Sequence, residues 1–170
     1  ADRLAQEVAV DVAAVVDLCR TFVVPMIARG SGVVLNIAST AAYQPVPGMA
    51  VYAASKAFVK LFTEALWHET RPHGVTVFAV SPGAVASEFF DAGQRIPAPT
   101  SYWEPSRIAE AGLSALDRGL GRGERGGIRV PPEVMPGFAN RAAAFSTRFV
   151  PRRALLHFSS RLAKGTPPAP

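Results

Sequence analysis

Apolar positions divide the chain into alternating helix-like and strand-like stretches. From about Leu4 to Arg29, Val8, Val12, Val15, Val16, Phe22, Val23, Met26 and Ile27 recur at helical spacing, and the run stops at Gly30. Pro25 is expected to bend the last turns of this helix. Gly32 to Ala38 is a short continuous apolar run behind a glycine, which predicts a strand buried on both faces. Ser39 to Pro47 reads as a loop. Ala50 to Thr70, rich in helix formers and without internal Gly or Pro, predicts a long helix. Past the Pro72-His73-Gly74 break, Val75 to Val80 predicts a second buried strand, stopped by Ser81-Pro82-Gly83.

Helix, strand, helix, strand in this rhythm implies crossover units, hence an α/β fold with a partial doubly wound parallel sheet. Further on, Pro105-Ser106 starts a helix to about Leu116 with Ser106 as its cap, and Gly126 to Pro131 supplies a third, shorter strand. Pro136 onward reads as helical and basic to about Lys164, broken at Pro151, and Gly165 to Pro170 as a disordered end. No internal repeat is visible, and no domain boundary falls inside residues 1–130.

Composition narrows the function classes. In 170 residues, 49% are apolar and 18% charged, the balance of a packed domain rather than a disordered tail. A single cysteine, Cys19, excludes an internal disulfide, a CxxC redox motif and a four-ligand cysteine zinc site, and favours a reducing, cytoplasmic compartment. Cys19 itself lies on an apolar helix face and reads as a small buried hydrophobe. The net charge of +5 is uneven: Arg141, Arg148, Arg152, Arg153, Arg161 and Lys164 close the chain with no acid among them, so the rest is close to neutral. A basic tail on a neutral body lacks the interleaved basic and aromatic stripe of a nucleic-acid binder. No stretch is apolar enough to span a membrane, and no signal peptide is read at Ala1-Asp2-Arg3. Opening without Met, as though entered inside a helix, the chain reads as a fragment or a trimmed piece.

The candidate chemistry follows the first strand. Tyr52 and Lys56 stand at i and i+4, one helical turn apart on one face. A phenol with a pKa near 10 is a weak acid-base catalyst at neutral pH, and an ammonium beside it favours the phenolate. Ser39 lies thirteen residues before Tyr52, at the carboxyl end of a buried strand, where open α/β sheets bind ligands; the alternative for Ser39 is a turn or cap serine.

At these residues the chain resembles the short-chain dehydrogenase/reductases of the classical type. The resemblance rests on Asn36-Ile37-Ala38-Ser39, on Tyr52-Ala53-Ala54-Ser55-Lys56, and on Ser81-Pro82-Gly83-Ala84-Val85-Ala86-Ser87 after the second strand, and covers roughly residues 4–135. It implies a Rossmann-like catalytic part over 1–135, followed by a basic amphipathic segment at 136–164 and the end at 165–170. It implies a hydride transfer between NAD or NADP and an alcohol or ketone. Ser39 would orient the substrate, Tyr52 would exchange the proton, and Lys56 would hold the nicotinamide ribose and tune Tyr52. Pro82, Gly83 and Val85 would flank the nicotinamide, and Ser87 stands where the family usually has a cofactor-contacting Thr. The resemblance also implies a homo-oligomer through the helices at 4–29 and 50–70.

Two departures from the family pattern carry consequences. Where the family usually has an Asn that completes a tetrad and a proton relay, this chain has Asp11, which as a carboxylate is able to bind Lys56 and weaken its effect on Tyr52. The glycine turn that cradles the pyrophosphate, and the residue that selects NAD or NADP, belong to a first half absent from this sequence. The Gly121-Arg122-Gly123-Glu124-Arg125-Gly126 run follows a helix and precedes a strand, the reverse of the order a phosphate loop needs, and is rejected as a dinucleotide site. Weak or no binding of nicotinamide cofactor by these residues is therefore expected.

The remaining signals are weaker. Phe89, Phe90, Tyr102 and Trp103 bracket a Pro-rich stretch after the nicotinamide motif and point to an apolar substrate. His68, His73 and His157 have no ligand spacing, and the chemistry needs no metal. The basic tail carries Phe145, Phe149, Val150, Leu155, Leu156, Phe158 and Leu162; a helix closing over the cleft or a partner subunit is the favoured reading, and contact with a membrane surface is the other. A non-catalytic, truncated interaction module remains the alternative to the enzyme.

Overall fold

A computed structural model describes residues 2–86, 102–121 and 129–162. The first helical run is continuous but not uniform: α1 (Asp2–Val8) passes through a π-helical stretch, Ala9–Ala13, into α2 (Ala14–Arg29). Gly30 ends it in the left-handed conformation, φ 72°, with its N–H on the carbonyls of Met26 and Ile27. Pro25 lies inside α2. β1 (Gly32–Ile37) follows, then a 3₁₀ turn (Thr40–Tyr43), α3 (Ala50–Thr70) and β2 (Val75–Val80). α3 and β2 have the bounds that their flanking breakers predict.

The strands form one parallel sheet in the order β1-β2-β3, with Gly32 opposite Val75 and Ile37 opposite Val80. Here the sequence reading needs correction: β3 is Glu133–Val134, not Gly126–Pro131. Gly126–Ile128 lie outside the described residues. Pro131 and Pro132 have no N–H to donate, so Pro132 joins the ladder only as an acceptor, taking the Ala79 N–H at 2.9 Å, while the Val134 carbonyl takes the Ser81 N–H at 2.9 Å.

β2 is the central strand and is buried along its whole length. Its alternate residues serve two layers. Val75 and Val77 pack with Cys19 and Val23 of α2, and Ala79 with Val59 of α3 and Ala38. On the other face Phe78 and Val80 pack with Ile108 and Ala115 of α4 (Pro105–Gly121) and with Val130. α4 begins at Pro105, so Ser106 lies in its first turn rather than capping it, and it extends beyond Leu116. Cys19 is buried as expected, yet it is not merely apolar filling: Asn36 Nδ2 donates to its sulfur at 3.5 Å and to Thr63 Oγ1 at 3.0 Å, tying β1 to α2 and α3. The basic segment is two helices, α5 (Phe138–Ser146) and α6 (Arg152–Leu162).

Candidate active site

The candidate residues gather where β1 and β2 end. Pairing continues past both strands: Ala38 N–H donates to Val80 O and Thr40 N–H to Pro82 O, each at 2.9 Å, which sets Ser39 beside the Pro82-Gly83 turn. Ser39 is 6% exposed and caps the 3₁₀ turn, its Oγ accepting the Ala41 N–H at 3.1 Å. The turn or cap reading of Ser39 is thus met. With an oxygen lone pair occupied by the cap, the Ser39 hydroxyl still has its proton to offer, and it draws the Tyr52 phenol's pKa down.

Tyr52 lies in the first turn of α3 and Lys56 one turn on, the ammonium 5.7 Å from the centre of the Tyr52 ring. Lys56 Nζ forms an ion pair with Asp11 Oδ1 at 3.1 Å and donates to Ile37 O at 3.4 Å. Asp11 reaches it from the centre of the π-helical stretch, the kind of local widening that often marks functional positions. The phenol stands above its ordinary pKa: burial raises it most, the hydrogen bond from Ser39 pulls it back, and the charges of Asp11 and Glu7 raise it again. The ammonium, held by Asp11, does not reverse that balance.

Glu7 was not marked by any motif. It stands one helical turn before Asp11, and its Oε1 is buried without a hydrogen-bond partner among the described residues. Burial and the neighbouring Asp11 push its carboxyl above the usual range, with Arg3 and Lys56 opposing. A second unmarked acid is Glu133 of β3, which accepts from Tyr43 Oη and from Ser81 Oγ through its two oxygens. It thereby joins the turn after Ser39 to the residue preceding Pro82. Tyr43 is raised in turn, by burial first and then by Glu133.

Past Ser81, Val85 bridges to Trp103 in parallel, with Ala86 N–H on Trp103 O at 2.9 Å. Gly83 faces Asn140, whose Nδ2 would lie 2.8 Å from a Cβ at that position, so a larger residue there would have to push the Asn140 side chain aside. Ser87, Phe89 and Phe90 lie outside the described residues, as does the Gly121–Gly126 run except Gly121, the last residue of α4. Trp103 packs against the core cluster and Tyr102 is exposed. Among the described residues no group of His, Cys, Asp and Glu could hold a metal ion. A cavity of about 530 Å³ opens beside Tyr43, Ala57, Lys60, Arg148 and Arg152; Ser39, Tyr52 and Lys56 do not line it.

A family model described as short chain dehydrogenase matches residues 1–95. Over 81 residues the chain is 42% identical to glycine betaine reductase ATRR of Emericella nidulans, covering 48% of this chain and 6% of that protein. Over 79 residues it is 37% identical to the very-long-chain 3-oxoacyl-CoA reductase of Mus musculus, covering 46% of this chain and 25% of that one. Among solved structures it is similar to a short-chain dehydrogenase from Sphingobium yanoikuyae in complex with NADPH, with TM-score 0.65 at 26% identity over 88% of this chain and 54% of that one. A short chain dehydrogenase from Burkholderia cenocepacia in complex with NADP gives 0.66 at 25% identity, over 94% and 60%. The chain therefore spans a quarter or less of these two curated relatives and somewhat over half of these two solved chains.

Proposed function

The chain belongs to the short chain dehydrogenase family, a family of oxidoreductases, and from that premise we propose that it carries the catalytic side of a hydride-transfer site for an alcohol or ketone. The observation that supports this most is the placement of Lys56 over the Tyr52 ring, 5.7 Å from its centre, with Ser39 at the end of β1 acting on the same phenol. In this reading a carbonyl oxygen sits against both hydroxyls. Ser39 orients it, and Tyr52 gives it a proton as hydride arrives at the carbonyl carbon, so that C=O becomes CH–OH. Oxidation runs the same transfer backwards, with the phenolate accepting the alcohol proton.

The residues present fit the nicotinamide end of NAD or NADP. Lys56 offers an ammonium at the end of β1, beside the Pro82-Gly83 turn that follows β2. Lys56, Pro82, Gly83, Val85 and Ser87 would hold that end, and the bound cofactor would supply or accept the hydride. The phenol, raised above its ordinary pKa, carries its proton at neutral pH, the form that can protonate a carbonyl oxygen as hydride arrives. The two curated relatives are named as reductases, in keeping with carbonyl reduction.

The test is Tyr52→Phe in the enzyme containing this chain. Turnover should fall about 10²-fold or more, and retention of near-normal turnover would remove Tyr52 from the chemistry. A second reading, an interaction module without turnover, draws on the commitment of Lys56 to Asp11 and on exposed apolar groups at Leu18, Phe22 and Leu61 along the helices at 4–29 and 50–70. The same faces would serve a homo-oligomer of the active enzyme.

A further inference from the structure

α5 and the turn that follows it present an apolar face outward. Phe138, Phe145 and Phe149, seven and four residues apart, recur on one side and are 79%, 57% and 73% exposed. The packed side is the other one: Ala144 is 7% exposed, and Asn140 Nδ2 bonds back to Pro136 O at 2.9 Å. Arg141 and Arg148, also seven apart, flank the row. The Arg148 guanidinium lies 5.7 Å from the Phe145 ring centre, and the Phe145 and Phe149 rings meet edge to face at 5.2 Å. Glu133 is the last acid of the chain, and six basic residues follow it.

We propose that this face docks on an anionic lipid surface, with α5 lying in the interfacial plane, the three rings in the headgroup–acyl boundary and the flanking arginines on lipid phosphates. Rings left in water at this density mark a surface that is covered in use. Their row, from Phe138 in α5 to Phe149 in the turn after it, extends about 16 Å at the helical rise, and a cavity opens beside Arg148 at one end of it. Charge decides between the remaining occupants. A second copy docked face to face would bring the arginines of both copies together with no acid in either α5 or the residues after it, whereas a bilayer of anionic lipid supplies the missing charge. No helix among the described residues is long and apolar enough to cross a membrane, so the contact is peripheral. The proposal is independent of the catalytic reading and reverses the preference drawn from the sequence, which placed these side chains against a cleft or a partner subunit.

The 170-residue protein is sedimented with phosphatidylcholine vesicles containing phosphatidylglycerol and with phosphatidylcholine vesicles alone. Binding to the anionic vesicles, weakened by added salt, is the expected result. Phe138→Ser/Phe145→Ser/Phe149→Ser and Arg141→Gln/Arg148→Gln should each lower the partition by about tenfold or more, with melting temperature unchanged because the five side chains are exposed. Arg141→Lys/Arg148→Lys should retain most of it. Should the triple variant not fold, the glutamine pair decides: an unchanged partition overturns the proposal. So does failure of the unaltered protein to bind anionic vesicles, including the case in which the phenylalanines instead govern self-association or binding of an acidic peptide.

Discussion

At the scale of single residues, the site turns on where one positive charge is spent. Lys56 faces both the Tyr52 ring and the Asp11 carboxylate, and it is the carboxylate that holds it. Asp11→Asn removes the ion pair and one of the charges that raise the phenol. The alkaline transition of Tyr52, followed by difference spectroscopy with Tyr52→Phe as the blank, should move to lower pH, and alcohol oxidation should gain relative to carbonyl reduction. An unmoved transition would mean that Asp11 acts on neither group. Glu7 gives a separate readout. Its folded pKa is raised, mainly by burial, so the folded state holds the proton more tightly than the unfolded chain. Stability from this group is then complete below the ordinary carboxylate pKa and is lost as pH rises through the raised value. Glu7→Gln should match the parent in melting temperature at acid pH and exceed it at neutral pH. A constant difference across the range would contradict this account. Of these residues, Asp11 was legible from its place in a motif pattern. Glu7 was not, because nothing local marks a helix carboxylate whose raised pKa comes mainly from burial in the fold.

Elements differ in legibility for the same kind of reason. β2 and α3 are bounded by Gly and Pro breakers and carry long uniform patterns, so their ends follow from local chemistry. β3 has two residues and no pattern of its own; it exists because Pro132 and Val134 offer carbonyls to β2. The π-helical stretch is likewise hidden, since its Ala and Val residues are as compatible with an α-helix. What β3 does for the site is carried by Glu133, whose carboxylate holds Tyr43 and Ser81 across 90 and 52 residues of sequence. Glu133→Ala leaves those two hydroxyls without an acceptor, at a cost of about 1–3 kcal/mol each where burial is complete, as it is for Ser81. Tyr43→Phe removes a donor and leaves Glu133 bonded to Ser81, so its loss of stability in denaturant unfolding should be the smaller. Equal losses would show that the carboxylate does not join the two loops.

At the scale of the whole molecule, the sheet explains what kind of ligand contact these residues support. β2 has a strand on each side and a helical layer on each face, whereas β1 is paired only along its β2 edge among the described residues. Doubly wound sheets hold a dinucleotide across the point where strand order reverses, using a glycine turn that opens a helix under the pyrophosphate. The connection from β1 to α3 carries Ser39 and the 3₁₀ turn, with Gly48 its one glycine. It is built to present a hydroxyl rather than to wrap a phosphate. The groups proposed to meet the cofactor are thus an ammonium and backbone at its nicotinamide end, and Lys56 must also leave Asp11 to serve it. Calorimetric titration of residues 1–170 with NADPH should therefore give weak or undetectable binding, and the same for NADH, because neither the pyrophosphate nor the adenosine finds a partner among the described residues. Micromolar affinity for either would mean that the chain holds the phosphates by groups other than a glycine turn, and would put the adenine end of the site within these residues.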